Sequence, residues 1–202
     1  MSEAAIREYT LKGPSEGFFR DRGSKFYAFA YPVDNLTEAE THLAALRKRY
    51  HDARHHCYAY RLGDRGQESF SADDREPGNS AGPPILAAIR SAELTRVLVV
   101  VVRYFGGTKL GVRGLIEAYR SAAAEAIEAG EKVEIMTQTT FMLAYAYEHT
   151  ADINRILHPF ETEVVEAAYT DSVRQTFMIR EESFALLEKK LTAAGFAVKV
   201  IG

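Results

Sequence analysis

Cysteine is almost absent from this chain: Cys57 is the only one in 202 residues. That excludes an internal disulfide and fits a reducing cytoplasm. Long apolar runs are missing as well. None approaches the roughly 20 residues that a membrane span needs, so no membrane partner is expected. Met1 to Arg20 holds no apolar stretch resembling a signal peptide. Positive charge is not in excess either. The net charge is −3, which argues against a strongly basic nucleic-acid binder. Residues 1–135 carry 19 of the 25 Lys+Arg and 19 of the 28 Asp+Glu, so the deficit lies in residues 136–202. Any nucleic-acid contact must therefore come from a local patch on the first part of the chain. What remains is ordinary globular material, 47% hydrophobic and 26% charged, of a length that suits one large or two small domains.

Several familiar motifs are also missing. Gly106 and Gly111 have the spacing that opens a Walker A loop, but Val112 and Arg113 stand where Lys and Ser/Thr should be. No hydroxyl is left there for magnesium, which argues against a P-loop NTPase. The dinucleotide fingerprint G-x-G-x-x-G is absent, and Ser80 has no G-x-S-x-G context. His51, His55, His56 and Cys57 match no zinc-finger spacing, so no metal site is expected. No cofactor is expected either.

The stretch from Val97 to Arg120 carries the strongest positive signal. Val97-Leu98-Val99-Val100-Val101-Val102 reads as a strand covered on both faces. A glycine-rich loop follows, with Gly106, Gly107, Gly111 and Gly114, and then an alanine-rich helix that Gly130 stops. A helix N-terminus after such a loop offers unpaired N–H groups and partial positive charge, to which Lys109 and Arg113 add full charges. The pattern points to an anion, most plausibly a phosphate, with Arg103 and Arg120 beside it. A second reading stays open: the glycines serve only a tight turn and a close helix–strand contact.

The rest of residues 1–135 alternates element types. Lys25 to Tyr31 reads as a strand closed by Pro32. Thr37 with Glu40 makes a capping box for a helix running to about Tyr50. His56 to Leu62 alternates and reads as a strand, residues 63–84 as one long loop, and Pro84 to Ala92 as a short helix. Residues 131–137 read as a domain boundary. Beyond it come a strand (Gln138 to Tyr147), a helix capped by Thr150, a hairpin (Glu163 to Tyr169 and Arg174 to Ile179), a helix (Glu182 to Ala194) and a strand (Phe196 to Ile201). The order βαββαβ is that of a ferredoxin-like unit over 136–202.

Asp73, Asp74 and Glu76 lie within four residues and could hold magnesium with phosphate oxygens, with His56 moving a proton; the alternative function is then a magnesium-dependent enzyme acting on a phosphorylated small molecule in the cleft between the acidic and glycine loops. They could equally cap the helix near Pro84 and pair with Arg75. His55, His56 and Ser80 complete the set expected to line a cleft with these carboxylates. Tyr9, Tyr27, Tyr31, Tyr58, Tyr60, Tyr104 and Tyr119 could stack bases, though most sit at strand spacing and read as core or half-buried.

Ser24 to Ala30, Ala53 to Arg61, Asp73-Asp74-Arg75-Glu76-Pro77 with Ser80-Ala81-Gly82, and Val102 to Gly107 running through Leu110-Gly111 to Gly114-Leu115 together resemble the YigZ/IMPACT family. The resemblance covers most of residues 18–130. It implies an α+β fold of two domains: a ribosomal-protein-like α/β sandwich over 1–135, and a ferredoxin-like tail similar to the last domain of a translocating elongation factor. It also implies a cytoplasmic protein tied to translation, whose partner is RNA, the ribosome or a translation-associated protein. Eukaryotic relatives regulate initiation by competing for an activator of an initiation-factor kinase. This chain departs from the family pattern at three places. Arg75 replaces the glycine of D-D-G-E-P, Asn79-Ser80 replace Gly-Thr of G-T-A-G, and Val112-Arg113 replace Thr-Gly of the glycine loop. Arg75 and Arg113 make that surface more basic.

Overall fold

The computed structural model describes residues 8–63 and 66–201. Residues 1–7, part of the stretch read for a signal peptide, and Asp64 and Arg65 of the long loop lie outside them. The described residues form two compact units, one ending at Ile135 and the next beginning at Met136.

The first unit contains β1 (Glu8–Leu11), β2 (Ser15–Asp21), β3 (Ser24–Pro32), α1 (Leu36–Arg49), β4 (His55–Leu62), β5 (Glu68–Ala72), α2 (Gly82–Ser91), β6 (Val97–Tyr104), α3 (Gly111–Glu128) and β7 (Lys132–Ile135). Five strands form one antiparallel sheet in the order β2-β3-β6-β4-β5, with β6 in the centre. The Val-rich run earns that place because the sheet is covered on both sides. Val97, Val99 and Val101 pack with Phe26, Ala28, Cys57 and Ala59 beneath α2 and α3. Leu98, Val100 and Val102 pack with Phe29 and Tyr60 against Ala39, Leu43 and Leu46 of α1. Each buried Val, Leu or Phe among them contributes roughly 1.5–3 kcal/mol of burial.

Two local expectations, the cap of α1 and the long loop, need correction. The N-cap of α1 is Asn35, not Thr37: its Oδ1 accepts from Glu38 N at 3.0 Å, and Glu38 Oε2 accepts from Asp34 N at 2.9 Å. The cap lies two residues earlier than expected, and the Glu38 side chain reaches back to Asp34 and not to the N-cap N–H. A further strand, Ser15–Asp21, precedes the expected one, and a Cβ at its Gly17 would meet Ala126 N of α3 at 2.3 Å. The stretch 63–84 includes the short polar edge strand β5 paired with β4. Residues 132–135, within the stretch read as the boundary, form a strand that pairs antiparallel with β1, register Leu11 to Lys132.

The second unit contains β8 (Gln138–Tyr145), α4 (Thr150–Leu157), β9 (Thr162–Tyr169), β10 (Val173–Arg180), α5 (Glu181–Ala193) and β11 (Val198–Ile201). Its antiparallel sheet runs β11-β8-β10-β9, the ferredoxin-like order. Phe141, Leu143, Ile153, Phe177, Leu187 and Leu191 make its core. Thr150 does not cap α4 through an acceptor; its hydroxyl donates to Tyr147 O at 2.7 Å and closes a preceding turn. The fold is thus α+β in two units. Among the described residues no helix is long and apolar enough to cross a membrane.

Candidate anion site at the glycine loop

β6 ends in alternation. Arg103 follows Val99 and Val101 onto the α2/α3 side, and Phe105, just past the strand, is 57% exposed. The loop that follows contains glycines of two kinds. Gly106 lies against the β2–β3 turn: a Cβ would sit 1.9 Å from Gly23 C and 2.1 Å from Ser24 N. Its own N–H donates to Ser24 Oγ at 3.1 Å. For Gly106 the close-contact reading holds. Gly107 and Gly111 have φ of +89° and +72° with open space around them. Gly114 sits in the first turn of α3, where a Cβ would reach 3.0 Å from Leu110 Cβ.

α3 begins at Gly111 with no side-chain cap and no acidic residue in its first turn. Its leading N–H groups therefore keep their partial positive charge unneutralised. Lys109, Arg113 and Arg120 are exposed. Among the described residues none of the three has an ion-pair partner.

Arg103 is different and is removed from the expected anion set. It is 7% exposed, and its Nη1 donates to Glu76 Oε1 at 2.6 Å. Tyr119 of α3 donates to the same oxygen at 2.8 Å, and His55 Nε2 lies 3.8 Å away. Cys57 Sγ donates towards Tyr119 Oη at 3.3 Å and Asp73 O at 3.0 Å. Burial, more than any neighbour, pushes the Cys57 thiol and the Tyr119 phenol far up, so both stay protonated. Tyr119 was expected only as core or a stacking ring. The usable signal was a hydroxyl on the otherwise apolar side of α3, with Ala118, Ala122 and Ala123, where it needs a partner.

The acidic stretch is committed to its own loop. Asp73 Oδ1 accepts from Ala81 N at 2.9 Å and Gly82 N at 2.8 Å, and Oδ2 from Asn79 N at 2.7 Å. It caps α2 from nine residues upstream of Gly82, so the capping alternative is the one realised. Asp74 Oδ2 accepts from His56 N at 2.7 Å. Ser80 is buried and donates to Pro77 O at 2.6 Å. His55 sits with Glu76, its Nδ1 2.9 Å from Asp74 O. His56 points to the opposite, α1 side of the sheet, because adjacent strand residues alternate. It is 5% exposed, with Nε2 unpartnered among the described residues, and burial holds its pKa below the usual imidazole value. His56 and Ser80 therefore do not join Asp73, Asp74, Glu76 and His55 in one open cleft. The lone pairs expected to hold magnesium accept protein hydrogen bonds. Among the described residues no group of three His, Cys, Asp or Glu could hold a metal ion.

Arg75 and Asn79 hold φ of +71° and +63°. These are two of the positions where the chain departs from a glycine in the family pattern. The loop keeps the left-handed backbone although the side chains have changed.

The Impact N-terminal domain family matches residues 22–127. The chain is 38% identical over 151 residues to an IMPACT family member in pol 5'region from Thermus thermophilus, covering 75% of this chain and 81% of that protein. It is 29% identical over 176 residues to IMPACT family member YigZ from Escherichia coli (strain K12), covering 86% and 80%. Protein IMPACT of Rattus norvegicus is 34% identical over 115 residues, 55% of this chain and 36% of that one. A crystal structure described as that of an hypothetical protein aligns over 98% of this chain and 99% of that chain at TM-score 0.68 and 24% identity, a likeness of fold. The matched domain takes in the glycine loop, the Arg103–Glu76 pair and the Asp73 loop, and the bacterial relatives match along most of their length: the chain belongs to the IMPACT family.

Proposed function

We propose that this protein regulates translation in the cytoplasm by binding ribosomal RNA through the start of α3. The observation that carries this reading is the uncapped N-terminus of α3, free of carboxylates in its first turn and flanked by the exposed cations Lys109 and Arg113. Such an end favours phosphate through N–H groups and charge together. Gly107 and Gly111, with open space about them, let a sugar–phosphate backbone approach closely. Arg120, two turns along α3, extends the cationic footprint that Arg103 does not supply. The link to translation comes from the resemblance to the YigZ/IMPACT family.

The test is co-sedimentation with ribosomal subunits at low and moderate salt, native chain against Lys109→Ala/Arg113→Ala. Phosphate contacts predict salt-sensitive binding that the double variant loses. Binding insensitive to both salt and the substitutions refutes the reading. Retention by a translation-associated protein after nuclease treatment replaces RNA with a protein partner.

A further inference from the structure

We propose that the groove lined by Gly23, Lys25, Tyr27, Tyr50, Tyr104 and Phe105 stacks an unpaired base of single-stranded RNA. The inference rests on the RNA-binding reading above and adds what kind of RNA is held, and where.

The groove has a volume of about 340 Å³, at the lower end of the roughly 300–1,000 Å³ of ligand clefts. It opens beside the paired ends of β3 and β6 and the C-terminus of α1. Its side chains are four aromatic rings and a lysine, with no aliphatic residue among them. One pair of rings is near-parallel and a third stands across it. Tyr27 and Tyr50 are 21° from parallel with centroids 6.1 Å apart, and Tyr104 stands edge-on to Tyr27 at 6.0 Å. Phe105 is 57% exposed although Arg103 lies over it at 5.7 Å. Only Tyr104 has its phenol engaged, donating to Asp52 at 2.6 Å. Among the described residues the hydroxyls of Tyr27 and Tyr50 have no hydrogen-bond partner, which leaves them for base edges.

Charge selects the occupant. Lys25 lines the groove, and the guanidinium of Arg49 lies over the Tyr50 ring at 5.2 Å. The last turn of α1, capped by Tyr50, is Arg47-Lys48-Arg49. Two carboxylates stand near these cations: Asp52, which keeps its charge while accepting from Tyr104, and Glu16, 3.8 Å from Arg49, so Lys25, Arg47 and Lys48 carry the positive excess. Flat π faces with cations at the rim fit a base on a phosphate backbone, and fit an aliphatic peptide poorly. Phe105 joins this groove directly to the glycine loop that starts at Gly106, so one strand could place a base in the first and a phosphate at the second.

The experiment uses the full chain and labelled unstructured RNA of about ten nucleotides, read by fluorescence anisotropy against a blunt duplex of the same length. The native chain should prefer the single strand, and Phe105→Ala should weaken that binding about tenfold while leaving duplex binding and the melting temperature unchanged. Phe105→Tyr should restore it, and Lys25→Ala should weaken it less. Equal binding of strand and duplex, or a Phe105→Ala variant that binds the strand like the native chain, overturns the proposal. So does AMP competing as well as the oligonucleotide, which makes the site one for free nucleotides. Loss of ribosome binding in Lys109→Ala/Arg113→Ala with unchanged strand binding by Phe105→Ala leaves the loop reading standing and removes the groove. The reverse pattern removes the loop and keeps the groove.

Discussion

Arg103 Nη1 lies 2.6 Å from Glu76 Oε1, with 7% and 4% of the two side chains exposed. The pair ties the end of the central strand to the Asp73 loop, and Tyr119 brings α3 to the same oxygen. Glu76→Leu leaves a guanidinium buried without its counter-charge, and Arg103→Leu leaves a carboxylate likewise, each of which should cost about 3–5 kcal/mol. Replacing both partners by Leu should cost much less than the sum of the two single changes. Urea denaturation of the four proteins in the cycle measures this, and additive effects would mean the two groups do not interact.

Gly106 and Gly107 are neighbours with opposite requirements. Gly106→Ala puts a Cβ into the backbone of Gly23 and Ser24, and should cost about 3 kcal/mol or more. Gly107→Ala meets no atom and pays only for its left-handed backbone, about 1–2 kcal/mol. Thermal melts rank the two variants. The reverse order would mean that the approach to the β2–β3 turn is easily relaxed.

His56 gives stability a pH dependence of known sign. Burial is the main cause holding its pKa below the ordinary 6.5, with Arg47 and Arg75 acting the same way and Asp74 and a backbone contact at Tyr50 opposing. As pH falls below 6.5 the unfolded chain takes up a proton that the folded chain refuses. This contribution is therefore intact above 6.5 and declines below it, until the native imidazole also titrates. The slope cannot exceed about 1.4 kcal/mol per pH unit. Urea melts across this range should show His56→Gln with a flatter profile than the native chain. Identical profiles would place the titration elsewhere.

Under the proposed function, each cation at the start of α3 has a separate signature. Lys109→Ala should lower the slope of log affinity against log salt for ribosomal subunits by about 1, and adding Arg113→Ala by about 1 more. Parallel salt plots would locate the phosphate contacts on another surface.

The parts of the fold legible in the sequence were those where periodicity and burial agree. The Val97–Val102 run became the doubly covered central strand, and alternation with end signals laid out β8 to β11 in order. β5 escaped because an exposed edge strand of five residues, Glu68 to Ala72, carries Ser and Glu where a buried one would carry Val. β2 escaped because its glycine answers to a helix more than a hundred residues away. The inward turn of Arg103 was not read from the sequence. A cation beside a glycine loop reads the same whether it faces water or the core. The period of two through Val99 and Val101 was the signal that it turns inward. The groove was less legible still, since Lys25, Tyr50 and Phe105 come from three separate segments.

The position of β6 also constrains how the first unit can be made. β3 and β4 are neighbours of β6 and not of each other, so residues 24–62 lack their shared partner until Val97–Tyr104 has been synthesised. β1 waits longer, for residues 132–135. During vectorial synthesis this unit stays an open chain apart from the β2–β3 and β4–β5 pairs, and then closes late around one strand. A chain stalled before Val97 would expose the apolar faces of β3 and β4 together, and would depend on holding factors or rapid disposal to avoid aggregating.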